Sequence, residues 1–90
     1  MALLDLLGRR WSLRILWELR EDALTSRALR AACDEASPTV LQSRLDELRE
    51  AGFIALGDEG YALTPLGREL YETFMQLHGF AERWRKRQHS

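Results

Sequence analysis

Residues Ser37-Pro38-Thr39-Val40-Leu41-Gln42-Ser43-Arg44-Leu45, read on through Leu48 and Ala51 to Gly52, decide the fold. A serine before a proline marks a helix start. The hydroxyl accepts from an unpaired N–H of the first turn, and proline has no N–H at a position that needs none. Leu41, Leu45 and Leu48 then recur at helical spacing, flanked by Val40 and Ala51, and Gly52 is a stop. Just upstream, Ala28, Leu29, Ala32 and Cys33 make a shorter apolar face, and only Asp34-Glu35-Ala36 joins the two. So short a link suits two helices crossing steeply: a helix-turn-helix over about residues 26–51, whose second helix can enter a DNA major groove.

Toward the N-terminus, Leu3, Leu4, Leu6 and Leu7 predict a turn or two of helix ended by Gly8. Trp11 to Arg20 reads as a helix that is apolar nearly all round. Trp11, Ile15 and Leu19 lie on one side, Leu16 bridges, Leu13 and Trp17 lie on the other, and only Arg14 and Glu18 mark a polar edge. Such a helix is buried nearly all round. Leu13 and Trp17 therefore need cover, either from the chain's last helix or from a second subunit. Ala23-Leu24-Thr25 suggests a short strand, with Thr25 or Ser26 capping the helix that follows.

Toward the C-terminus, Phe53-Ile54-Ala55-Leu56 and Tyr61-Ala62-Leu63 flank the polar turn Gly57-Asp58-Glu59-Gly60. This is a hairpin over 53–63, and behind a recognition helix a hairpin is a wing. Thr64-Pro65 repeats the cap-and-proline start for a helix over 65–87, about 35 Å long, with Gly79 a place to bend. Its stripe of Leu66, Leu70, Phe74, Leu77, Ala81 and Trp84 is too long for one small core. Identical stripes on two copies cover each other, so a homodimer is expected, its interface drawn from Leu3, Leu7, Leu13, Trp17, Phe74, Leu77, Ala81 and Trp84.

Ninety residues make one domain, 1–90, mainly α with a small β-hairpin. Hydrophobic residues at 46% and charged residues at 30% fit an ordinary globular chain rather than a disordered one. No apolar run reaches membrane-spanning length and the first residues lack a signal-peptide layout, so no membrane partner and a cytoplasmic location are expected. A single cysteine excludes an intrachain disulfide. His78, His89 and Cys33 have no metal-ligand spacing. With no activated nucleophile pair and no glycine-rich phosphate loop either, the chain reads as no enzyme, with no cofactor and no metal. Charge opposes nucleic-acid binding: the net is −1, and the basic clusters at Arg9, Arg10 and Arg14 and at Arg83, Arg85, Lys86 and Arg87 lie off the recognition segment.

These residues resemble the HxlR-type winged-helix transcriptional regulators of the MarR-like group. Gly8-Arg9-Arg10-Trp11 through Leu19 is similar to the family's opening "GGKW…IL.EL" helix. Ser37-Pro38 with Leu41, Arg44-Leu45, Leu48 and Ala51-Gly52-Phe53-Ile54 is similar to its "SP..L..RL..L...GL" segment, and Tyr61-Ala62-Leu63-Thr64-Pro65-Leu66-Gly67-Arg68-Glu69-Leu70 to its "Y.LT..G..L" exit from the wing. The resemblance implies a homodimeric repressor or activator on double-stranded DNA, dimerised through its terminal helices. The chain departs from the family at Thr25-Ser26, where Arg-Phe is usual, and at Glu35-Ala36, where Gly-Ile is usual. Its short wing is tipped by Asp58-Glu59 instead of basic residues, and no cysteine precedes Trp11.

On a helical wheel Thr39, Gln42 and Ser43 face away from the leucines, near the helix start. They are the candidate base readers, with Ser37 beside them. Asp46 and Glu50 share that face and repel phosphate. Arg44 sits at the edge of the apolar stripe, open to an ion pair or a phosphate contact. Arg27 and Arg30 are phosphate clamps or plain surface. The acidic wing is expected to stay off DNA, and Cys33 is expected in the core, its acidity lowered by Asp34-Glu35. Trp11, Trp17 and Trp84 line either a small-molecule pocket, its effector unknown, or plain core and interface. The rival reading of the whole chain is a protein-interaction or dimerisation module with a decayed DNA face.

Overall fold

The computed structural model describes residues 2–88. In chain order it has α1 Leu3–Leu7, α2 Ser12–Glu18, α3 Ser26–Ala32, α4 Pro38–Glu50, β1 Ile54–Gly57, β2 Gly60–Leu63 and α5 Pro65–Gln88. Met1, His89 and Ser90 lie outside the described residues, and with them the reading of His89.

Three helices start where a hydroxyl can accept a first-turn N–H. Thr25 accepts from Ala28 at 3.1 Å, Ser37 from Val40 at 3.1 Å, and Thr64 from Gly67 at 3.0 Å. Of the two candidate caps before α3, Thr25 is the one used, and Ser26 is already helical. α2 is shorter than the expected Trp11–Arg20. Trp11 stands outside it with φ of 81°, left-handed backbone that a bulky side chain rarely adopts.

The core is layered from these helices. Ile15, Leu16 and Leu19 of α2 meet Leu29 and Cys33 at α3 and Leu41, Leu45 and Leu48 of α4, while Phe53, Ile54 and Tyr61 close one side. α2 is not buried all round, because Leu13 is only half-buried and Trp17 is 37% exposed. α5 covers that side in part, and a gap remains.

The hairpin pairs Ile54 with Leu63 through Gly57 with Gly60, around Asp58-Glu59. The strand expected at Ala23–Thr25 is one antiparallel bridge, Leu24 to Tyr61, with N–H···O distances of 2.9 and 2.8 Å. Gly60 permits it: φ is 115°, and a Cβ there would sit 2.4 Å from the Leu24 carbonyl oxygen.

α5 is fastened most tightly at its start. Gly67 is buried so tightly that a Cβ would lie 1.9 Å from the Phe53 carbonyl oxygen. Thr64 Oγ1 donates to the Gly52 carbonyl at 2.6 Å, and Arg68 donates to the Arg20 carbonyl, also at 2.6 Å. The helix then continues through Gly79 as one element and carries the molecule out to 47 × 27 × 27 Å. The radius of gyration is 13.9 Å, against about 12 Å for a compact chain of this length. Leu77, Phe80 and Trp84 are more than half exposed. Among the described residues no helix is long and apolar enough to cross a membrane.

Candidate nucleic-acid interface

α4 is held from behind and bare in front. Leu41, Leu45 and Leu48 are at most 2% exposed, whereas Ser37, Thr39, Gln42 and Ser43 are all exposed. The Thr39 and Ser43 hydroxyls have no partner among the described residues. Gln42 is engaged: its Nε2 donates to Asp46 Oδ1 at 2.9 Å and lies 3.5 Å from the Tyr61 hydroxyl of β2. On sequence alone Asp46 is only a repelling charge on the reading face. Its spacing four residues after Gln42 was the available signal for this bond, whereas the approach of Tyr61 depends on the tertiary fold.

α3 brings its arginines alongside. Arg30 and Gln42 line one groove of about 170 Å³ between α3 and α4, floored by Leu41 and Leu45. Arg27 and Arg30 are exposed and unpaired among the described residues. Arg44 differs from them: its guanidinium donates to Glu47 Oε1 at 2.5 Å, with Nε buried and unpartnered. Of its two readings, the structure contains the ion pair. Glu47 also meets Arg9 at 3.4 Å, a pair with Arg9 exposed and Glu47 half-buried that ties the loop before α2 to α4. Asp46 and Glu50 are exposed further along α4, and Asp58 and Glu59 are exposed at the hairpin tip.

The residues assigned to pairing two chains do not form one patch. Leu13, Trp17 and Phe74 come together with Arg14, Met75 and His78 around a cavity of about 180 Å³ between α2 and α5. Leu77, Ala81 and Trp84 extend beyond it, exposed along α5. Leu3 is exposed on α1, while Leu7 packs on the core. The three tryptophans line no common pocket. Trp17 faces the cavity, Trp84 lies against Phe80 and Arg83, and Trp11 rests on the core. The Arg20 guanidinium stacks 3.6 Å from the Trp17 ring centre, so the apolar edge of α2 is part-covered by a cation.

Cys33 is 1% exposed. Burial pushes its thiol above the ordinary range; Arg14 opposes this, and Glu18 and Asp34 add to it. The expected cause was the pair Asp34-Glu35, but desolvation dominates and Glu35 plays no part. Arg14 is raised chiefly by its 2.7 Å hydrogen bond to Glu18. Among the described residues no three His, Cys, Asp or Glu side chains are grouped to hold a metal ion.

Comparison with known proteins is consistent with this geometry. The family model for the HxlR-like helix-turn-helix matches residues 6–89. The solved structure of YodB from B. subtilis, described as quinone-bound, superposes with a TM-score of 0.82 at 25% identity, over 88% of this chain and 90% of that one. A possible HxlR family transcriptional factor from Thermoplasma volcanium GSS1 superposes with a TM-score of 0.78 at 23% identity, over 96% of this chain and 84% of that one. No curated protein matches the chain in sequence.

Proposed function

Since the chain belongs to the HxlR-like helix-turn-helix family, we propose that it is a sequence-specific DNA-binding transcriptional regulator that acts as a homodimer with α4 in the major groove. One observation carries the reading: a helix immobilised by three buried leucines presents Thr39, Gln42 and Ser43 to solvent at its N-terminal end. Short polar side chains on a rigid helix are what base-edge readout requires. Arg27 and Arg30 on α3 are the phosphate clamps, and Ser37 contributes at the helix start. The wing stays back, since Asp58 and Glu59 carry the sign of the phosphates.

The homodimer rests on the outer length of α5, where Leu77, Ala81 and Trp84 stand exposed among the described residues, joined by Leu3, Leu13, Trp17 and Phe74. Leu7 contributes by seating α1 on the core. With its apolar face taken up by a second copy, the protein works as a soluble cytoplasmic factor without catalytic activity.

The test is retention of duplexes from the chain's own upstream region, measured against salt. The expected result is binding of a palindromic fragment at low salt that weakens steeply as salt rises, with Arg30→Ala reducing the slope. The acidic tip and the net charge of −1 favour one rival, an interaction module with a decayed DNA face. Absence of duplex binding at every salt concentration, with a protein partner co-purifying, would establish that rival instead.

A further inference from the structure

The polar face of α4 holds one side chain in a fixed orientation, and the restraint restricts what it can read. A carboxylate can only accept hydrogen bonds, so the amide of Gln42 must turn its nitrogen, not its oxygen, toward Asp46. The same nitrogen lies 3.5 Å from the Tyr61 hydroxyl, a long contact within reach of its second N–H. Tyr61 is 5% exposed and tied into the hairpin and the Leu24 bridge, so it does not swing away. The remaining hydrogen-bonding atom, Oε1, has no partner among the described residues.

We infer that Asp46 and Tyr61 are positioning residues that make Gln42 an acceptor-only reader, selecting a base with an exocyclic amine in the major groove. This rests on the DNA-binding reading above. An unrestrained glutamine reads adenine with donor and acceptor together, through N6 and N7. With both N–H groups turned back to the protein, only the carbonyl oxygen is offered. It accepts from adenine N6 or cytosine N4 alike and rejects guanine O6 and thymine O4, which are acceptors themselves. The acidic residue on the reading face thus has a function beyond repulsion: it exchanges adenine specificity for tolerance of adenine and cytosine.

The restraint is tested first without DNA. Gln42, Gln76 and Gln88 are the only glutamines and the chain has no asparagine, so side-chain amide NMR shows three NH₂ pairs, and Gln42→Ala identifies one. The Gln42 pair is expected to be more ordered than that of Gln76, to loosen in Asp46→Ala, and to recover in Asp46→Asn, which keeps an acceptor. A Gln42 pair as mobile as Gln76 overturns the proposal whatever happens on DNA. Selection from a randomised duplex pool with the full chain then reads the base. Wild type is expected to recover adenine and cytosine equally at one position, whereas Asp46→Ala favours adenine about tenfold there. Adenine alone in wild type, or a preference unchanged in Asp46→Ala, overturns it. So does a cytosine preference lost in Asp46→Ala but kept in Gln42→Ala, which makes Asp46 itself the reader. Enrichment of no duplex while the amide stays ordered refutes the DNA-binding reading, and the base selectivity with it.

Discussion

α4 and α5 begin alike, with a hydroxyl cap and a proline, and each carries one apolar stripe, yet their fates differ. The α4 stripe of Leu41, Leu45 and Leu48 is sealed against α2 and α3. Along α5 only Gly67 is buried, and Leu77, Phe80 and Trp84 stand more than half exposed. An amphipathic pattern states that a face needs cover; it does not state whose. For α4 the cover is intrachain, which fixes the outer face as a rigid platform. For the outer half of α5 no such cover exists among the described residues, and that half is the surface proposed above for a second copy.

That contrast can be broken most forcefully in the core. Leu48→Ala is expected to cost about 2–5 kcal/mol, the range for emptying a packed leucine site, read as a lowered urea midpoint at unchanged slope. A second break lies where α5 is anchored. Gly67→Ala pushes a methyl group into the Phe53 carbonyl, and about 1–3 kcal/mol is expected from the resulting backbone shift, with the hairpin losing amide protection before α2 does. Leu77→Asp sharpens the comparison. At 62% exposure it is expected to move the unfolding free energy of dilute protein by less than about 0.5 kcal/mol, while the sedimentation mass falls from dimer to monomer. The smallest effect concerns Cys33. Its thiol is held above the ordinary range by burial, so the folded state keeps a proton that the unfolded state releases. Stability is therefore full below about pH 8.5 and declines above it, and a thiol reagent at pH 8 should label the chain only at its unfolding rate.

Most of the fold was legible from the sequence because its signals are local. Ser37-Pro38, Thr64-Pro65 and the glycines around Asp58-Glu59 act within a few residues of themselves, so the starts of α4 and α5 and the hairpin turn fell where expected. What escaped depends on distance in space. The Leu24 bridge replaces a strand because Gly60 lets one backbone approach another, and no periodicity encodes that. Trp11 leaves α2 with a left-handed backbone that its residue type disfavours. The exposed face at Thr39, Gln42 and Ser43 followed from the helical wheel. The Gln42–Asp46 bond was readable in the spacing but masked by a charge argument, and Tyr61 reached it only through the folded hairpin. The Arg44 ion pair was equally readable, since Glu47 lies three residues on in the same helix.

The central claim is that two copies of α4 are held apart at the repeat of a duplex by the apolar length of α5. The most direct measurement is the distance between spin labels on Ser43→Cys in a chain carrying Cys33→Ala, taken on the free protein by electron–electron double resonance. The account predicts one distribution centred near about 34 Å, one turn of duplex, that vanishes in Leu77→Asp. No dipolar coupling, or a distance matching neither one turn nor a multiple of it, contradicts the account.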